Sequence, residues 1–521
     1  MIFFWRRKRR DEKGEGSSSS EGIAVGAAPS RRELRAFKVI YPVVEPYAYV
    51  AIAEEPGTKR LMYTVIEPTL FEEEKRVLER LSEILLEELE VDASSLSRER
   101  AEEVLLENAK RIVRKYRIRI GEETFNKIAY YLVRDFVGYG KIDVMMKDHL
   151  VEDISCDGPN LPVYVWHREY ESLPSNVMFN EDELDSFIFK LAYRCGKHIS
   201  VAQPIMDGTL PDGSRVNATY GREISRRGST FTIRRFRADP LTIVDLIMFN
   251  TISLDMAAML WLAVEQKSSI LVAGGVASGK TTLLNCISMF IRPELKIVTI
   301  EETAELQLPH ENWIPLVARA GFGARGTEIT LFDLLKAAMR QRPDYVIVGE
   351  VRGAEAYTLF QALATGHGVQ CTIHAESPQA VINRLTSAPM NIPRPLIGLV
   401  DVITVQLRTR IGDRPVRRTS ILTEVKGYNA DRDLIELQDT FRWDPRTDEH
   451  RQLAESITLQ KVMRKTGMTK EEVDMELYRR KIVLQWLIKK GIRRYREVGL
   501  VIREYYTSPE SVYKRAKVEL G

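Results

Sequence analysis

The 521-residue chain is poor in cysteine, and the few that it has lie far apart. Cys156, Cys195, Cys286 and Cys371 form no C-x-x-C pair, which is the arrangement that supplies two ligands to a tetrahedral zinc site. We therefore expect reduced thiols and no zinc, as is usual for a protein of the cytoplasm.

Long apolar runs and an excess of one charge are also missing. The longest uninterrupted apolar run, residues 256–264, is about half of the roughly 20 residues that a membrane-spanning helix needs, so we expect no membrane span. The 76 lysines and arginines nearly balance the 73 aspartates and glutamates, for a net charge of +3. This balance argues against nucleic acid as the partner, because nucleic-acid-binding proteins carry a strong or concentrated basic excess.

Three regions are predicted before the middle of the chain. Residues 1–30 hold a run of five cations and a Gly/Ser-rich stretch, which predicts a disordered tail or, alternatively, a weak anchor at a membrane surface. Helical spacing of apolar residues predicts a helical N-terminal region over residues 31–145. Short β-rich runs around one helix predict an α+β domain over residues 146–238, and Pro240 marks the boundary that follows.

Apolar runs and helical segments then alternate over residues 241–410. The runs SILVAG, KIVTI, YVIVG and VQCTI are separated by helical patterns, which is typical of a parallel sheet covered by helices on both faces. Residues 411–521 change to a short β region and a helical end. The predicted fold class is therefore α/β, with a preceding α+β domain and an N-terminal helical region.

The clearest motif is a glycine-rich loop between the predicted strand SILVAG and a predicted helix. The segment GGVASGKT satisfies the pattern G-x-x-x-x-G-K-[ST], whose backbone N–H groups wrap a phosphate. Lys280 would reach the β- and γ-phosphates, and the Thr281 hydroxyl would bind Mg²⁺. The motif therefore predicts a bound nucleoside triphosphate. The predicted binding residues are Gly274, Gly275, Val276, Ala277, Ser278, Gly279, Lys280, Thr281 and Thr282.

Acidic residues follow two of the predicted strands. KIVTI runs into Glu301, Glu302 and Glu305, and YVIVG runs into Glu350. Because parallel strands present their carboxyl ends at one edge of a sheet, we expect these acids beside the glycine-rich loop. One acid would hold the Mg²⁺ shell through water, and one would orient or deprotonate the attacking water.

Two histidines flank the predicted strand VQCTI, with His367 before it and His374 after it. Their spacing alone favours structural histidines, each with one ring nitrogen donating to a backbone carbonyl. A sensor of the γ-phosphate is the alternative.

The order of these motifs resembles that of the secretion-superfamily ATPases. GGVASGKTT, IVTIEETAEL, MRQRPDYVIVGEVR and TGHGVQCTIHA resemble the Walker A, Asp, Walker B and His boxes of that family. The likeness covers roughly residues 139–408, and the long N-terminal part without a zinc module is most similar to the archaeal branch. The family powers type II and type IV secretion, type IV pili and the archaellum.

The resemblance implies a RecA-like P-loop motor domain in each subunit of a homo-hexameric ring. Such a ring would hydrolyse ATP with Mg²⁺ and drive an integral-membrane platform protein from the cytoplasmic face of the membrane. A RecA-like nucleic-acid helicase or DNA-transport ATPase is the alternative function. A scaffold that binds ATP without hydrolysing it is a second alternative.

Family roles carry over by motif position. Glu305 would polarise the attacking water, and Thr281 and Glu350 would hold Mg²⁺, the latter through water. His367 and His374 would lie near the γ-phosphate. The resemblance implies that the catalytic residues are Glu305, Glu350, Lys280, Arg215, Arg234 and His374, with the two arginines reaching the phosphates from the preceding domain. Glu302 and Gly353 stand where many members have Asp, which leaves the division of labour among the acids open.

Overall fold

The computed structural model describes residues 37–55, 58–88, 97–236, 239–319, 328–412 and 414–521. The chain divides into two compact units, residues 1–236 and residues 237–521, and each is described by itself. The predicted N-terminal tail lies outside the described residues. Throughout the described ranges, every helix is too short or too polar to traverse a lipid bilayer.

In the described part of the first unit, nine strands form one sheet in the order β1-β2-β3-β6-β5-β4-β9-β8-β7. Neighbouring strands are antiparallel, apart from the parallel pair β3 and β6. The strands are β1 (Phe37–Val44), β2 (Ala48–Glu54), β3 (Leu61–Ile66), β4 (Val151–Cys156), β5 (Pro162–His167), β6 (Glu171–Met178), β7 (Ile205–Thr209), β8 (Arg215–Thr219) and β9 (Thr230–Arg234). The helices are α1 (Glu72–Glu88), α2 (Arg98–Lys115), α3 (Glu122–Leu132), α4 (Asp143–Lys147) and α5 (Glu181–Arg194).

Strands β1 to β3 lie where a purely helical region was predicted, and this part of the prediction is wrong. Their sequences are rich in β-branched and aromatic residues, which favour a pleated, half-buried surface. Helical spacing begins only afterwards, in α1 to α3, whose apolar faces share a separate small core. Because β3 pairs with β6, one sheet crosses the expected boundary at residue 145.

The second unit is built on a sheet in the order β12-β11-β13-β14-β10-β15-β16-β17-β18, counted over its described residues. Strands β10 to β15 run parallel to their neighbours, and β15 to β18 are antiparallel. The strands are β10 (Ile270–Gly274), β11 (Ile297–Glu301), β12 (Trp313–Val317), β13 (Tyr345–Val348), β14 (Gly368–Ile373), β15 (Val402–Ile411), β16 (Arg414–Asn429), β17 (Leu434–Asp444) and β18 (Glu449–Gln452).

Helices cover both faces of the parallel strands. Successive residues of β10 alternate between two cores, since Ile270 and Val272 belong to one and Leu271 and Ala273 to the other. This double burial explains why the strands read as uninterrupted apolar runs, and it confirms the α/β class. The helices are α6 (Ile243–Met248), α7 (Leu254–Glu265), α8 (Lys280–Ser288), α9 (Leu331–Arg340), α10 (Glu355–Ala364), α11 (Pro378–Thr386), α12 (Arg394–Ile397), α13 (Ile457–Thr466), α14 (Lys470–Lys490), α15 (Tyr495–Thr507) and α16 (Pro509–Leu520).

The predicted region from residue 411 onwards is continuous with this unit. β15 extends to Ile411 and returns as β16, so the sheet passes the expected boundary at residue 410 without interruption. Helices α14 to α16 supply apolar side chains to the same core as α7 and α8.

A fully buried carboxylate joins the sheet to the C-terminal helices. Glu424, on β16, accepts hydrogen bonds from the hydroxyls of Thr440 at 2.5 Å and Ser456 at 2.6 Å. It also accepts from the backbone N–H groups of Ile457 and Thr458, both at 2.9 Å. These two N–H groups begin α13, so a negative charge stabilises the helix at the end where its dipole is positive.

We expect Glu424→Ala to lower the free energy of unfolding by about 3 kcal/mol or more, because it leaves several buried donors without an acceptor. Denaturant unfolding followed by circular dichroism measures the change. Glu449→Ala, which removes an exposed acid from β18, is the matched control and should lie within about 0.5 kcal/mol of the wild type. Equal midpoints for the two variants would contradict the assignment.

Candidate nucleotide-binding site

The glycine-rich loop connects β10 to α8 in a conformation that demands small residues. The φ angles of Gly274, Ala277 and Gly279 are +152°, +56° and +92°. A Cβ atom at Gly274 would lie 2.5 Å from the carbonyl oxygen of Gln406 on β15. Any side chain at this position would therefore push the loop away from the sheet.

The loop leads into the N-terminus of α8. Gly279 is the N-cap of this helix and provides no side-chain cap for its first N–H groups. These groups and the positive end of the helix dipole suit an anion such as a phosphate. The rim of the loop is open, because Val276 is 80% exposed and a Cβ at Gly275 would meet nothing within 4 Å. The loop therefore fits a nucleotide phosphate.

Lys280 connects the loop to the end of a neighbouring strand. Its Nζ donates to the carbonyl oxygen of Gly275 at 2.8 Å and lies 3.3 Å from Nδ1 of His374, directly after β14. The Ser278 hydroxyl donates to the same carbonyl oxygen at 2.9 Å. The ammonium group is thus held at the mouth of the loop, although its side chain comes from the buried start of α8.

A continuous set of polar contacts runs from Lys280 to the acids that follow β13 and β11. Nε2 of His374 lies 3.0 Å from Oε1 of Glu350, which follows β13. The Glu350 Oε2 atom accepts from Nη2 of Arg352 at 2.9 Å, and Nη1 of Arg352 donates to Oε2 of Glu302 at 3.1 Å. The structure thereby brings together Lys280, His374 and Glu350, which three different strands position.

The contacts of His374 determine which ring nitrogen carries the proton. A lysine ammonium can only donate, so Nδ1 accepts from Lys280, and the proton of the neutral ring is on Nε2, which lies 3.0 Å from Oε1 of Glu350. Partial burial and the positive charge of Lys280 lower the pKa of His374 below its ordinary value, against the opposing effect of Glu350. The ring is therefore neutral at pH 7.

Glu350 is ionised in this setting. Its partial burial would raise the pKa, but the hydrogen bond from Arg352 and the nearby charges, including Lys280, outweigh burial and hold the pKa below its usual range. An ionised carboxylate beside an ammonium group and a helix N-terminus is a suitable outer ligand for a hydrated divalent cation.

Glu301 and Glu305 follow β11 and have different surroundings. Buried Glu301 accepts the backbone N–H groups of Glu305 and Leu306, each at 3.0 Å, through Oε1. The Asn285 side chain on α8 accepts the N–H of Gln307 at 2.8 Å. Glu301 therefore shapes the loop that carries Glu305, which is part-exposed.

His367 lies at the opposite edge of the sheet. It precedes β14, whereas the glycine-rich loop follows the parallel neighbour β10, so roughly 20 Å of strand separates the two edges. Nδ1 of His367 lies 3.0 Å from the carbonyl oxygen of Ala362. Its predicted place beside the nucleotide is wrong within this chain, and the structural interpretation fits.

Arg215 and Arg234 lie in the first unit and are brought together there. They are directly opposite each other in the register of β8 and β9, so both side chains project from the same face of the sheet. Arg234 is exposed and Arg215 is part-buried.

Arg352 is a site residue that the sequence analysis missed. It joins Glu350 to Glu302, and the carboxylate of Glu355 holds its backbone N–H at 2.7 Å. The sequence did contain a signal for it. Arg352 lies two residues after Glu350, an acid that follows a strand, and an arginine at this spacing can reach that acid.

A loop of this kind, at the carboxyl edge of a parallel sheet with an acid from another strand at the same edge, is typical of the P-loop class of nucleotide-binding proteins. Within that class, residues 176–506 match the model of the family described as type II/IV secretion system protein. The chain belongs to this family, and the resemblance inferred from its motifs is confirmed.

Among the relatives are two proteins of the archaeon Methanocaldococcus jannaschii. The uncharacterized protein MJ0900 is 37% identical over 506 residues, which cover 92% of this chain and 91% of the relative. The uncharacterized protein MJ1287 is 51% identical over 245 residues, which cover 47% of this chain and 91% of the relative. A putative conjugal transfer protein of Mycobacterium tuberculosis is 29% identical over 338 residues, covering 60% of this chain and 95% of the relative.

We expect the pKa of His374 to lie below its ordinary value and to respond in opposite directions to its two neighbours. Lys280→Ala removes a positive charge and should raise this pKa, whereas Glu350→Gln removes a negative charge and should lower it further. NMR titration of the seven histidine rings measures both shifts, with His374 assigned by its loss in His374→Gln. Shifts in the same direction would contradict the proposed geometry.

Proposed function

We propose that the chain is a Mg²⁺-dependent ATPase whose turnover drives domain motions in a homo-hexameric motor. The observation that carries this proposal is the set of contacts from Lys280 through His374 to Glu350. Through His374, the lysine of the glycine-rich loop is linked to a carboxylate that follows another strand. Phosphoryl transfer requires both groups at one place, because its catalysis consists mainly of positioning and charge stabilisation.

Bound ATP with Mg²⁺ supplies a phosphoanhydride that water can cleave. The first N–H groups of α8 and the Lys280 ammonium would neutralise the β- and γ-phosphate oxygens. The Thr281 hydroxyl and, through water, the Glu350 carboxylate would hold the metal ion. His374 would report on the γ-phosphate, since its ring bridges the two groups that contact phosphate and metal.

The surroundings of the four acids support a division of labour among them. Glu301 is buried and holds backbone N–H groups, and Glu302 pairs with Arg352 at the surface. We assign the attacking water to Glu305, which is part-exposed on the loop that Glu301 shapes. Glu350 then serves the metal ion, as its lowered pKa keeps it ionised.

Arg215 and Arg234 are proposed to stabilise the transition state. Phosphoryl transfer spreads negative charge over three oxygens, and a guanidinium supplied from another domain can bind that charge. The two arginines lie directly opposite each other on one sheet face, which lets a single anion contact both guanidinium groups.

The biological setting is proposed from the family. The resemblance set out above implies a hexameric ring at the cytoplasmic face of a membrane, acting on an integral-membrane platform protein of a secretion, pilus or archaellum machine. The relative named as a putative conjugal transfer protein keeps DNA transport as a second candidate function.

We expect Lys280→Ala to lower ATP turnover by at least about 100-fold and to weaken ATP binding, because it removes a charge matched to the phosphates. Phosphate release and isothermal titration calorimetry with ATP and Mg²⁺ measure the two effects. Lys267→Ala, which breaks a 2.7 Å ion pair with Asp344 at the opposite sheet edge, is the matched control.

Unchanged hydrolysis in Lys280→Ala would refute the assignment of the phosphate site. The same assay with added DNA separates the two candidate functions. For a motor that acts on a membrane protein, we expect the rate of phosphate release to be unchanged by DNA. Strong stimulation by DNA would favour the second.

Arg215→Ala and Arg234→Ala should each lower kcat by roughly 10³-fold with little change in ATP affinity, because their charge is needed mainly in the transition state. Steady-state kinetics at saturating ATP measures this. Arg222→Ala removes an arginine that pairs with Glu181 on the surface of the same unit and serves as control. A normal kcat in either test variant makes that arginine structural.

A further inference from the structure

The hairpin of β15 and β16 extends beyond the strand that leads into the phosphate loop. β10 pairs with β15 only as far as Gln406, whereas β15 continues to Ile411 before it returns as β16. On the extension, Arg408 lies directly opposite Arg417. None of the four sequence motifs includes this hairpin.

Arg417 contacts the apex of the phosphate loop. Its Nε donates to the carbonyl oxygen of Ala277 at 3.0 Å. Its Cδ lies 3.4 Å from the position that a Cβ of Gly279 would occupy. The arginine side chain therefore lies along the loop between these two residues.

The contact is made to a carbonyl oxygen of the loop. In a phosphate-binding loop the backbone N–H groups are the donors that bind the anion. Arg417 therefore contacts Ala277 without occupying one of these donors.

The loop needs such support at this residue. Ala277 has a φ of +56°, which lies in the left-handed region. Residues other than glycine adopt this backbone conformation only when their surroundings stabilise it. The base of the loop is supported by the same hairpin, because Gly274 packs against the carbonyl of Gln406 and the Gln406 amide donates to Thr419 of β16 at 2.9 Å.

We propose that Arg417 is a positioning residue for the phosphate loop. Its hydrogen bond holds Ala277 in the left-handed conformation, so that the N–H groups of the loop and of the start of α8 already converge before a nucleotide binds. The consequence for ATP affinity rests on the proposed function, whereas the effect on the loop itself does not.

The test compares the wild type with R417A, R417K and R414A. Arg414 lies opposite Ile411, on the other face of the same hairpin, so R414A removes an equal charge without touching the loop contact. The first measurement is hydrogen–deuterium exchange of peptides that contain residues 274–281, without nucleotide. The second is the dissociation constant of ATP with Mg²⁺ by calorimetry, together with KM and kcat.

In R417A we expect these amides to exchange about tenfold faster, with the rest of the chain unchanged, because a charge-assisted hydrogen bond is lost. The dissociation constant and KM for ATP should rise by about tenfold, and kcat should change less. R417K, which keeps a donor, should lie between R417A and the wild type. R414A should match the wild type.

Unchanged loop exchange in R417A would overturn the proposal, and weakened ATP binding without faster exchange would make Arg417 a direct phosphate ligand instead. Equal effects of R414A and R417A would also overturn it, because they would indicate a general effect of charge. If R417A exchanges faster but the wild type binds no ATP, the positioning contact stands and the proposed function fails.

Discussion

The site depends on one neutral imidazole between a cation and an anion. Lys280 can only donate, so Nδ1 of His374 accepts from it, and Nε2, which carries the proton, lies 3.0 Å from the Glu350 carboxylate after β13. A protonated ring would place a second positive charge beside the ammonium. The burial and the lysine that lower the pKa of His374 therefore also keep the two halves of the site connected.

The fold gives acids that are close in sequence different surroundings and therefore different roles. Glu301 is buried at the end of β11 and accepts hydrogen bonds from backbone N–H groups. Glu302 is exposed and forms an ion pair with Arg352. Arg352 also binds Glu350 and counteracts the effect of burial on that carboxylate. The β15–β16 hairpin also supports the phosphate loop, because it contacts the loop at its base and at its apex.

Local patterns predicted much of the second unit and less of the first. Continuous apolar runs predicted four of the parallel strands, β10, β11, β13 and β14, because both faces of these strands are buried and no alternation is needed. Strands β1 to β3 were missed because the apolar spacing that was followed began with the helices after them. The pairing of β3 with β6 joins segments about 110 residues apart, which no local pattern encodes.

The sequence by itself determined the phosphate loop and the family, since a glycine-rich loop between strand and helix needs only local spacing. It also determined that acids end two of the strands. Only the tertiary structure decided which side chains meet. His367 and His374 are separated by the length of β14, and the hairpin brings Arg417 to Ala277, 140 residues away in sequence. Such meetings depend on strand order and register, which arise from the packing of the whole chain.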